Sequence, residues 1–466
     1  VSTRERFLVP VLVFVCLVVA AVGSLGAPLV PTVAVADHVS LAAAQWTLTI
    51  TLLVGAIATP VLGRLGDGPR RRQVVLGALA VVLAGSVVTA LPLGFAALLV
   101  GRAAQGVGLG LTSLAIAIAR DALPAQRIGP AVSVLSITTV AGIGLGYPLV
   151  GVLTVYFGLT AAYWAGAAVA AAALLAAAVV LPPSPDRPAA RLDTLGASLL
   201  GVGVAGLLLA MSEAVGWPPT WTLGLVLASL VVLAVWVRHE LRTAAPLVDL
   251  RLLGDRAVRV ADVTVLLGGI GMYLLMAMVA RFVQTPSSAG YGFGASVITA
   301  GLVLTPFSLL GFVAGRMMPA LGRRIGTGAV LPVCLGIVLV ATVGFVVARS
   351  ALWQVFVVMA VAGFGVGGVF AAVPGFIVRS VPATETGSAM SFNQVLRTVG
   401  FAAGSALTGV VLAAYTPTGH GVPTGDGYRT AGLVGIAVLA VTIVLGAFSA
   451  SGRRRPRPAI RSASRT

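Results

Sequence analysis

Hydrophobic positions along this chain come as long continuous runs, broken by short clusters of Arg, Gly, Pro and Asp. They show neither the alternation of a half-buried strand nor the narrow apolar stripe of a surface helix. A helix needs roughly 20 apolar residues to cross the ~30 Å hydrocarbon layer of a bilayer. Reading the runs against their breakers predicts fourteen spans, near 8–32, 43–63, 73–92, 95–119, 129–154, 160–181, 194–213, 220–238, 258–282, 295–318, 329–347, 353–378, 388–414 and 430–450. The first run follows Arg4 and Arg6 as a signal peptide would, but at about 25 residues it is too long for one and is expected to stay as a span.

Composition agrees with this pattern. Of 466 residues 58% are hydrophobic and 9% charged, against roughly 25% charged in soluble domains. The fold class expected is therefore all-α and integral to the membrane, with no room for a sizeable soluble domain. Thirty basic residues, all arginine, oppose 13 acidic ones for a net charge of +17. In a soluble chain this would suggest nucleic acid. Here the arginines fill short connections without the interleaved aromatics that stack on bases, so they read as topology signals and nucleic acid is not expected as a partner. With the N-terminus inside, twenty-five arginines fall on the cytoplasmic side, Arg281, Arg349 and Arg429 outside, and Arg102 and Arg397 within spans. That asymmetry favours an even span count with both termini cytoplasmic. Cys16 and Cys334 lie in apolar runs and read as small packing residues.

A shift of 258 residues aligns 124–151 with 382–409 without a gap, matching among others Pro124 with Pro382, Gly129 with Gly387, Ser133 with Ser391, Gly142 with Gly400 and Gly146 with Gly404. The fifth span thus corresponds to the thirteenth. Spans 1–6 and 9–14 become equivalent halves, with two helices inserted between them. The organisation expected is a six-helix bundle over 1–181, cytoplasmic linkers and inserted helices 7 and 8 over 182–257, a second six-helix bundle over 258–450, and a basic disordered cytoplasmic tail over 451–466. Two facing bundles around a central cavity form the architecture of a rocking transporter.

The loop after span 2 reads Gly63-Arg64-Leu65-Gly66-Asp67-Gly68-Pro69-Arg70-Arg71-Arg72. Small residues let helix ends approach, and one acid among arginines can form an ion-pair latch that one conformation makes and another breaks. This loop resembles the signature of the major facilitator superfamily, with Gly68 where an Arg is common and Arg70 where a Gly is common. The resemblance implies a conformational latch at Gly63, Asp67, Arg70, Arg71 and Arg72; a purely basic topology signal is the lesser alternative for the same loop. After span 10, Leu321-Gly322-Arg323-Arg324-Ile325-Gly326 keeps the shape but has Arg323 where the first half has Asp67, so the latch is expected to be asymmetric.

Span 4 carries Gly101-Arg102-Ala103-Ala104-Gln105-Gly106-Val107-Gly108. A guanidinium inside a span costs roughly 2.5–3.5 kcal/mol on insertion scales, so Arg102 is expected to face a polar cavity or a partner, or else to reach the interface. Gln105 shares its helical face, as a candidate cavity residue. The segment resembles the superfamily's fourth-helix Arg motif, which implies a part in proton coupling. Span 5 holds Gly142, Gly144, Gly146, Tyr147, Pro148 and Gly151, a partial likeness to the Gly/Pro motif of antiporters, in which Gly142, Gly146, Pro148 and Gly151 are the carriers and Tyr147 a cavity candidate. Close helix packing alone would explain the same glycines. Arg191 to Gly196, Glu213 with Gly216-Trp217, and Glu240 through Pro246 to Arg251 resemble the fourteen-span drug:proton antiporter subfamily. Phe282 to Pro286, Gly290 to Ser296 and Pro423 to Tyr428 look like its actinobacterial branch. The likeness runs from about residue 8 to 450.

Arg397 lies about nine residues into span 13, roughly 14 Å deep, with Asn393 four residues earlier on the same face, which makes both cavity candidates. The first span, Val18 to Pro28, lacks the acid many relatives place there. Guanidinium stays charged, so a proton carrier has to be sought among acids near the hydrocarbon. Asp262, early in span 9, is favoured and Glu213, ending span 7, comes second. An Asp close to a helix N-terminus can also stay ionised without coupling anything. His38, His239 and His420 have no metal-ligand spacing, and no nucleophile, phosphate-loop or zinc-protease pattern occurs, so neither an enzyme nor a metal site is expected. Gly363 to Gly368 reads as a packing element. The resemblance implies a multi-pass protein of the cell membrane, of actinobacterial type, expected to be a monomer in the lipid bilayer. It would export amphipathic small molecules, cationic or antibiotic-like, in exchange for protons, with no cofactor beyond the proton gradient. An uptake or exchange transporter for a small polar metabolite, or a non-transporting scaffold or sensor, is the alternative.

Overall fold

The computed structural model describes residues 3–24, 29–39, 41–184, 192–213, 216–244, 246–417 and 422–451. Arg191, His420, the tail beyond Ser451 and the side chains of Tyr147 and Pro148 lie outside the described set. The regular elements of the described residues are all helices, without a strand. The first group of helices is α1 (Thr3–Ser24), α2 (Val30–Ala36), α3 (Leu41–Gly66), α4 (Arg71–Ala90), α5 (Phe95–Gly106), α6 (Leu111–Ala122), α7 (Ala125–Phe157) and α8 (Leu159–Val180). Then come α9 (Thr194–Ser212) and α10 (Pro219–Arg242). The last group is α11 (Arg256–Gln284), α12 (Val297–Val303), α13 (Thr305–Ile325), α14 (Thr327–Val347), α15 (Leu352–Ser380), α16 (Thr386–Ala414) and α17 (Gly425–Ser451). Twelve helical segments among the described residues are long and apolar enough to cross a bilayer. In addition α1 contains the shorter apolar stretch Arg6–Val22, and α7 runs for 33 residues.

Three expected spans are divided. The first, near 8–32, is α1 followed by a separate short α2. The fourth passes through a tight 3-10 turn at Val107–Gly110, between α5 and α6. There Gly106 and Gly110 pack on α3, and a Cβ at Gly106 would strike the Thr51 carbonyl. The tenth is interrupted at Leu304, two residues before Pro306, which lacks an amide hydrogen and disfavours helical geometry just before it.

Within the first group α1 packs on α7 and α8, α4 on α5 and α8, and α3 on α5. Within the last, α11 packs on α16 and α17, and α15 on α13 and α14. The groups meet through α3 with α16, α7 with α13 and α15, and α6 with α16. The inserted α9 lies on both α3 and α16, pinned to α10 by His239 and Asp193 at 2.7 Å. Asp193 also caps α9 by accepting from the Gly196 amide, and Glu240 accepts from the Trp236 indole and the Val248 amide. The aromatic residues at the end of α11 and in the stretch before α12 knit with α14 and α17 around Phe282, which meets Tyr291, Phe293, Phe345 and Tyr428 edge-on or tilted.

The glycine run of α15 is a two-sided packing surface. A Cβ at Gly363 or Gly367, one turn apart, would collide with the backbone of Phe307 or Gly311 in α13, and one at Gly365 or Gly368 would meet Cys334 of α14. Gly375 of the same helix has open space around it. Overpacking a rigid crossing costs about 1–3 kcal/mol. Gly367→Val is therefore expected to lower the thermal unfolding temperature of the solubilised full chain by several degrees, and Gly375→Val to leave it nearly unchanged. Equal losses at both positions would contradict this account of the crossing.

Candidate functional site

At one face of the molecule the chain crosses from group to group. The end of α3 brings Gly63 against α16, so closely that a Cβ would collide with Ser391 Oγ, and a Cβ on Gly387 would in turn meet Asp67. This closeness lets Asp67 reach the start of α16, where the first-turn amides have no partner inside their own helix. Its Oδ1 accepts from Gly387 N at 2.8 Å, and its Oδ2 from Ser388 N at 2.8 Å and Ser388 Oγ at 2.7 Å. The positive end of the helix and three donors hold the carboxylate, while Arg71 stands 3.8 Å away. Burial nonetheless pushes the Asp67 carboxyl above its ordinary range, and these partners offset only part of that effect. A contact whose hydrogen bonds are opposed by desolvation can open again.

The latch is made differently from the expected Asp–Arg pairing. Arg71 binds mainly inside its own group, to the carbonyls of Gly66 and Ala117 and to Asp121. Arg72 holds the Ala178 carbonyl and its amide donates to Ser184, while Arg70 is exposed at the N-cap of α4. Both arginines are anchored by nearer acceptors within their own group. The second half's Arg323 and Arg324 are exposed. Other residues complete the closure: Arg64 pairs with Glu385 at 3.2 Å, Arg120 donates to the carbonyls of Val381 and Pro382 and to Thr386, and Ser391 bonds Ser113 at 2.8 Å. Sequence reading takes Arg120 only as a topology signal, and Arg64 as one arginine of the loop without a partner across the seam. The acid Glu385, opening the thirteenth span, was the available sign of a charged partner.

Deeper between the groups lies a small cavity, about 10 Å³ and room for roughly one water, lined by Ser113 and Ser136 on one side and Val265, Phe370, Asn393 and Arg397 on the other. Drug-sized ligands need several hundred Å³, so the described cavity is closed down in this conformation. Arg397 is 8% exposed, donates to Gln394 Oε1, and lies over the Phe370 ring at 4.6 Å. Asn393 donates to Asp262 Oδ1 at 2.7 Å, so the two cavity candidates and the favoured acid form one buried string. Asp262 is 3% exposed and, among the described residues, has no basic nitrogen within 4 Å. It does not cap its helix. Asp255 does, accepting from the amides of Ala257 and Val258, which leaves Asp262 two turns further in.

The remaining candidates lie elsewhere. Arg102, 1% exposed, donates to the carbonyls of Thr47 in α3 and Val22 in α1 and to Gln105 Oε1 at 2.6 Å. Gln105 donates onward to Ser86 and Thr89 of α4. The pair clamps the first group from inside, and Gln105 is turned into that packing instead of lining the described cavity, because α4 presents hydroxyls at the matching height. Glu213 ends α9 in the inserted pair, half-buried, away from the string. Gly142 lets α7 close on Ala20 of α1, Gly146 is buried, and Gly151 faces Ile298 of α12 at 4.0 Å.

Two groups of helices meeting over a closed polar seam define a two-bundle membrane transporter fold. Comparison with known proteins gives the family: a model described as Major Facilitator Superfamily matches residues 12–405 and, in a second match, 263–465, and the chain belongs to that superfamily. It is 30% identical over 358 residues to the uncharacterized MFS-type transporter Rv1877 of Mycobacterium tuberculosis, covering 75% of this chain and 50% of that protein. Multidrug resistance protein Stp of the same organism is 27% identical, with 80% of this chain and 69% of that protein covered. A probable actinorhodin transporter of Streptomyces coelicolor is 28% identical, with 80% and 66% covered. The chain spans about half the length of Rv1877 and about two thirds of the other two. Among solved structures, the human organic anion transporter MFSD10 (TETRAN) superposes with a TM-score of 0.67 at 19% identity, covering 96% of this chain and 100% of that one, a likeness of fold.

Proposed function

We propose that the chain is a secondary active exporter of amphipathic small molecules, whether drugs, antibiotics or secondary metabolites, which it exchanges for protons by alternating access. The observation that carries this reading is the Asp67 carboxylate bound across the seam to the first turn of α16, the helix that also bears Asn393 and Arg397. Opening one face thereby acts on the helix that holds the buried string. In this reading α1 and α7 join the twelve apolar segments to make fourteen spans, with both termini and the Asp67 face cytoplasmic. The bundles are 1–181 and 258–450, joined through the inserted pair, and the protein resides in the cell membrane. Asp262 carries the proton, with no cofactor; Arg397, Asn393 and Tyr147 belong to the substrate path. The relatives that include a multidrug resistance protein support the substrate class. Uptake of a small polar metabolite is less well supported, because Val265, Phe370, Val373, Pro374 and Met390 make much of the cavity wall apolar.

Cells expressing the chain are expected to accumulate less of an amphipathic dye than cells expressing the Asp67→Asn variant. Collapse of the proton gradient with an uncoupler is expected to abolish the difference. Equal accumulation at equal membrane abundance, across a panel of amphipathic dyes, would overturn the export reading.

A further inference from the structure

Among the described residues the buried apolar side chains fall into a large cluster and a small separate one, and the small one sits across the seam. It takes Ala56 from α3, Phe392 and Val395 from α16, Leu200 and Val204 from α9, and Trp236 from α10. Both groups of helices and the inserted pair therefore share one apolar core. Its place on α16 follows from helical spacing. Phe392, Val395, Leu396, Val399 and Ala402 recur every three or four residues along the face towards this core, while Asn393, Gly400 and Gly404 meet α11. Phe392 lies one turn from Ser388, so the core stands directly beside the contact that Asp67 makes with the same helix.

The inserted pair is built as one piece. Gly203 lets α9 approach α10 at Leu233 and Gly206 does so at Ser229, where an added Cβ would collide in either case. His239 and Asp193 pin one end of the pair at 2.7 Å. Glu240, itself buried, accepts from the Trp236 indole at 2.9 Å and so aims that ring at Phe392, with 6.0 Å between the centroids. The two sides of this piece are held unequally. Against α3 the helices come close, and a Cβ on Gly201 would lie 3.1 Å from Ile57 Cγ2. Against α16 the contact runs through the rings of Trp236 and Phe392. Apolar side chains of this kind make no directional bond, and they part at the cost of the surface they expose.

We propose that the inserted pair is a conformational strap: it travels with α3, holds α16 against it while the Asp67 face is closed, and releases α16 when that face opens. Asp67 and the strap restrain the same movement by different chemistry, one through buried hydrogen bonds and the other through buried apolar surface. Opening has to undo both. This rests on the transporter reading above, in which the two groups of helices part at the Asp67 face, and it gives the inserted pair a role in that movement.

The test reads how fast Ser391→Cys, in the full chain held in lipid nanodiscs, reacts with a water-borne maleimide. Trp236→Ala is expected to speed the reaction tenfold or more, because the ring that reaches Phe392 is gone. Trp221→Ala, at the other end of α10 and 72% exposed, should leave it within about twofold. Two cross-links decide the matter if Trp236→Ala does not fold. A Cβ on Gly201 would lie 3.7 Å from Ile57 Cβ, close to the disulfide spacing of about 3.8 Å, so Ile57→Cys with Gly201→Cys should close equally fast with and without Asp67→Asn. Trp236→Cys with Phe392→Cys, joined by a short bismaleimide, should link at least threefold more slowly in the Asp67→Asn chain. An unchanged rate in Trp236→Ala where Asp67→Asn raises it, or a link between α10 and α16 indifferent to Asp67→Asn, would overturn the strap and leave the transporter reading standing. A link between α9 and α3 that slows with Asp67→Asn would overturn it too, because the pair would then travel with α16. If neither Asp67→Asn nor Trp236→Ala speeds the Ser391→Cys reaction, the seam does not open there and the transporter reading falls with the strap.

Discussion

Asp67→Asn is expected to abolish most transport while leaving the protein folded and in the membrane. The carboxylate accepts from Gly387 N, Ser388 N and Ser388 Oγ across the seam, and is 5% exposed. An Asn keeps one acceptor oxygen but turns an NH2 group towards donors that have no other acceptor, and it removes the charge that faces the helix N-terminus. Truncating one partner of a buried, charge-assisted contact costs at least about 2 kcal/mol, a factor of about 30 in the balance between closed and open faces. Folding is spared because the contact is a polar one between the two groups of helices; the buried apolar core is untouched by the change, and Arg71 keeps Asp121. Transport should fall tenfold or more. At the same time Ser391→Cys, buried beside Gly63 in the closed face, should react faster with a membrane-impermeant thiol reagent from the Asp67 side in the Asp67→Asn background than without it. Full transport at equal abundance would remove the latch.

The spans were readable because their cause is local: an apolar run of sufficient length between arginines and breakers. The interruption at Leu304 was also local in origin, since Pro306 stood in plain view, but an apolar run continues across it. The site was readable in its parts and unreadable in its pairings. Asp67 stood out as the only acid of its loop, yet its acceptor contacts lie 320 and 321 residues away along the chain. No spacing within the loop could have separated that partner from the neighbouring arginines. Arg397 and Asn393 were found by depth and shared face, which helical geometry supplies. Gln105 was not, because the same geometry places it beside Arg102 without saying that α4 offers Ser86 and Thr89 on that side. For Asp262 the ambiguity between cap and buried acid disappears once Asp255 is seen to take the cap.

Asp262→Asn is expected to separate binding from coupling. Asp262 is a buried acid of the string, and Asn393 holds it without a counter-charge among the described residues. A neutral amide of nearly the same shape keeps a carbonyl oxygen for Asn393 and so preserves the local packing. It cannot gain or lose a proton. Uphill transport should therefore fall to background, while exchange of substrate across the membrane at equal concentrations continues at a rate within about threefold of the unaltered chain. Unchanged uphill transport would show that the proton is carried elsewhere. Loss of both activities would make Asp262 part of substrate binding instead of coupling.

The most direct test of proton-driven alternating access is substrate movement in proteoliposomes of the full chain, with an imposed pH difference as the sole energy source. With the lumen acidified relative to the bath and substrate initially equal on both sides, the expected result is accumulation of substrate inside as protons leave. Reversing the pH difference should reverse the direction of net substrate movement, and Asp262→Asn should abolish net movement in either direction. Net movement that ignores the sign of the pH difference, or that persists unchanged in Asp262→Asn, would contradict the account.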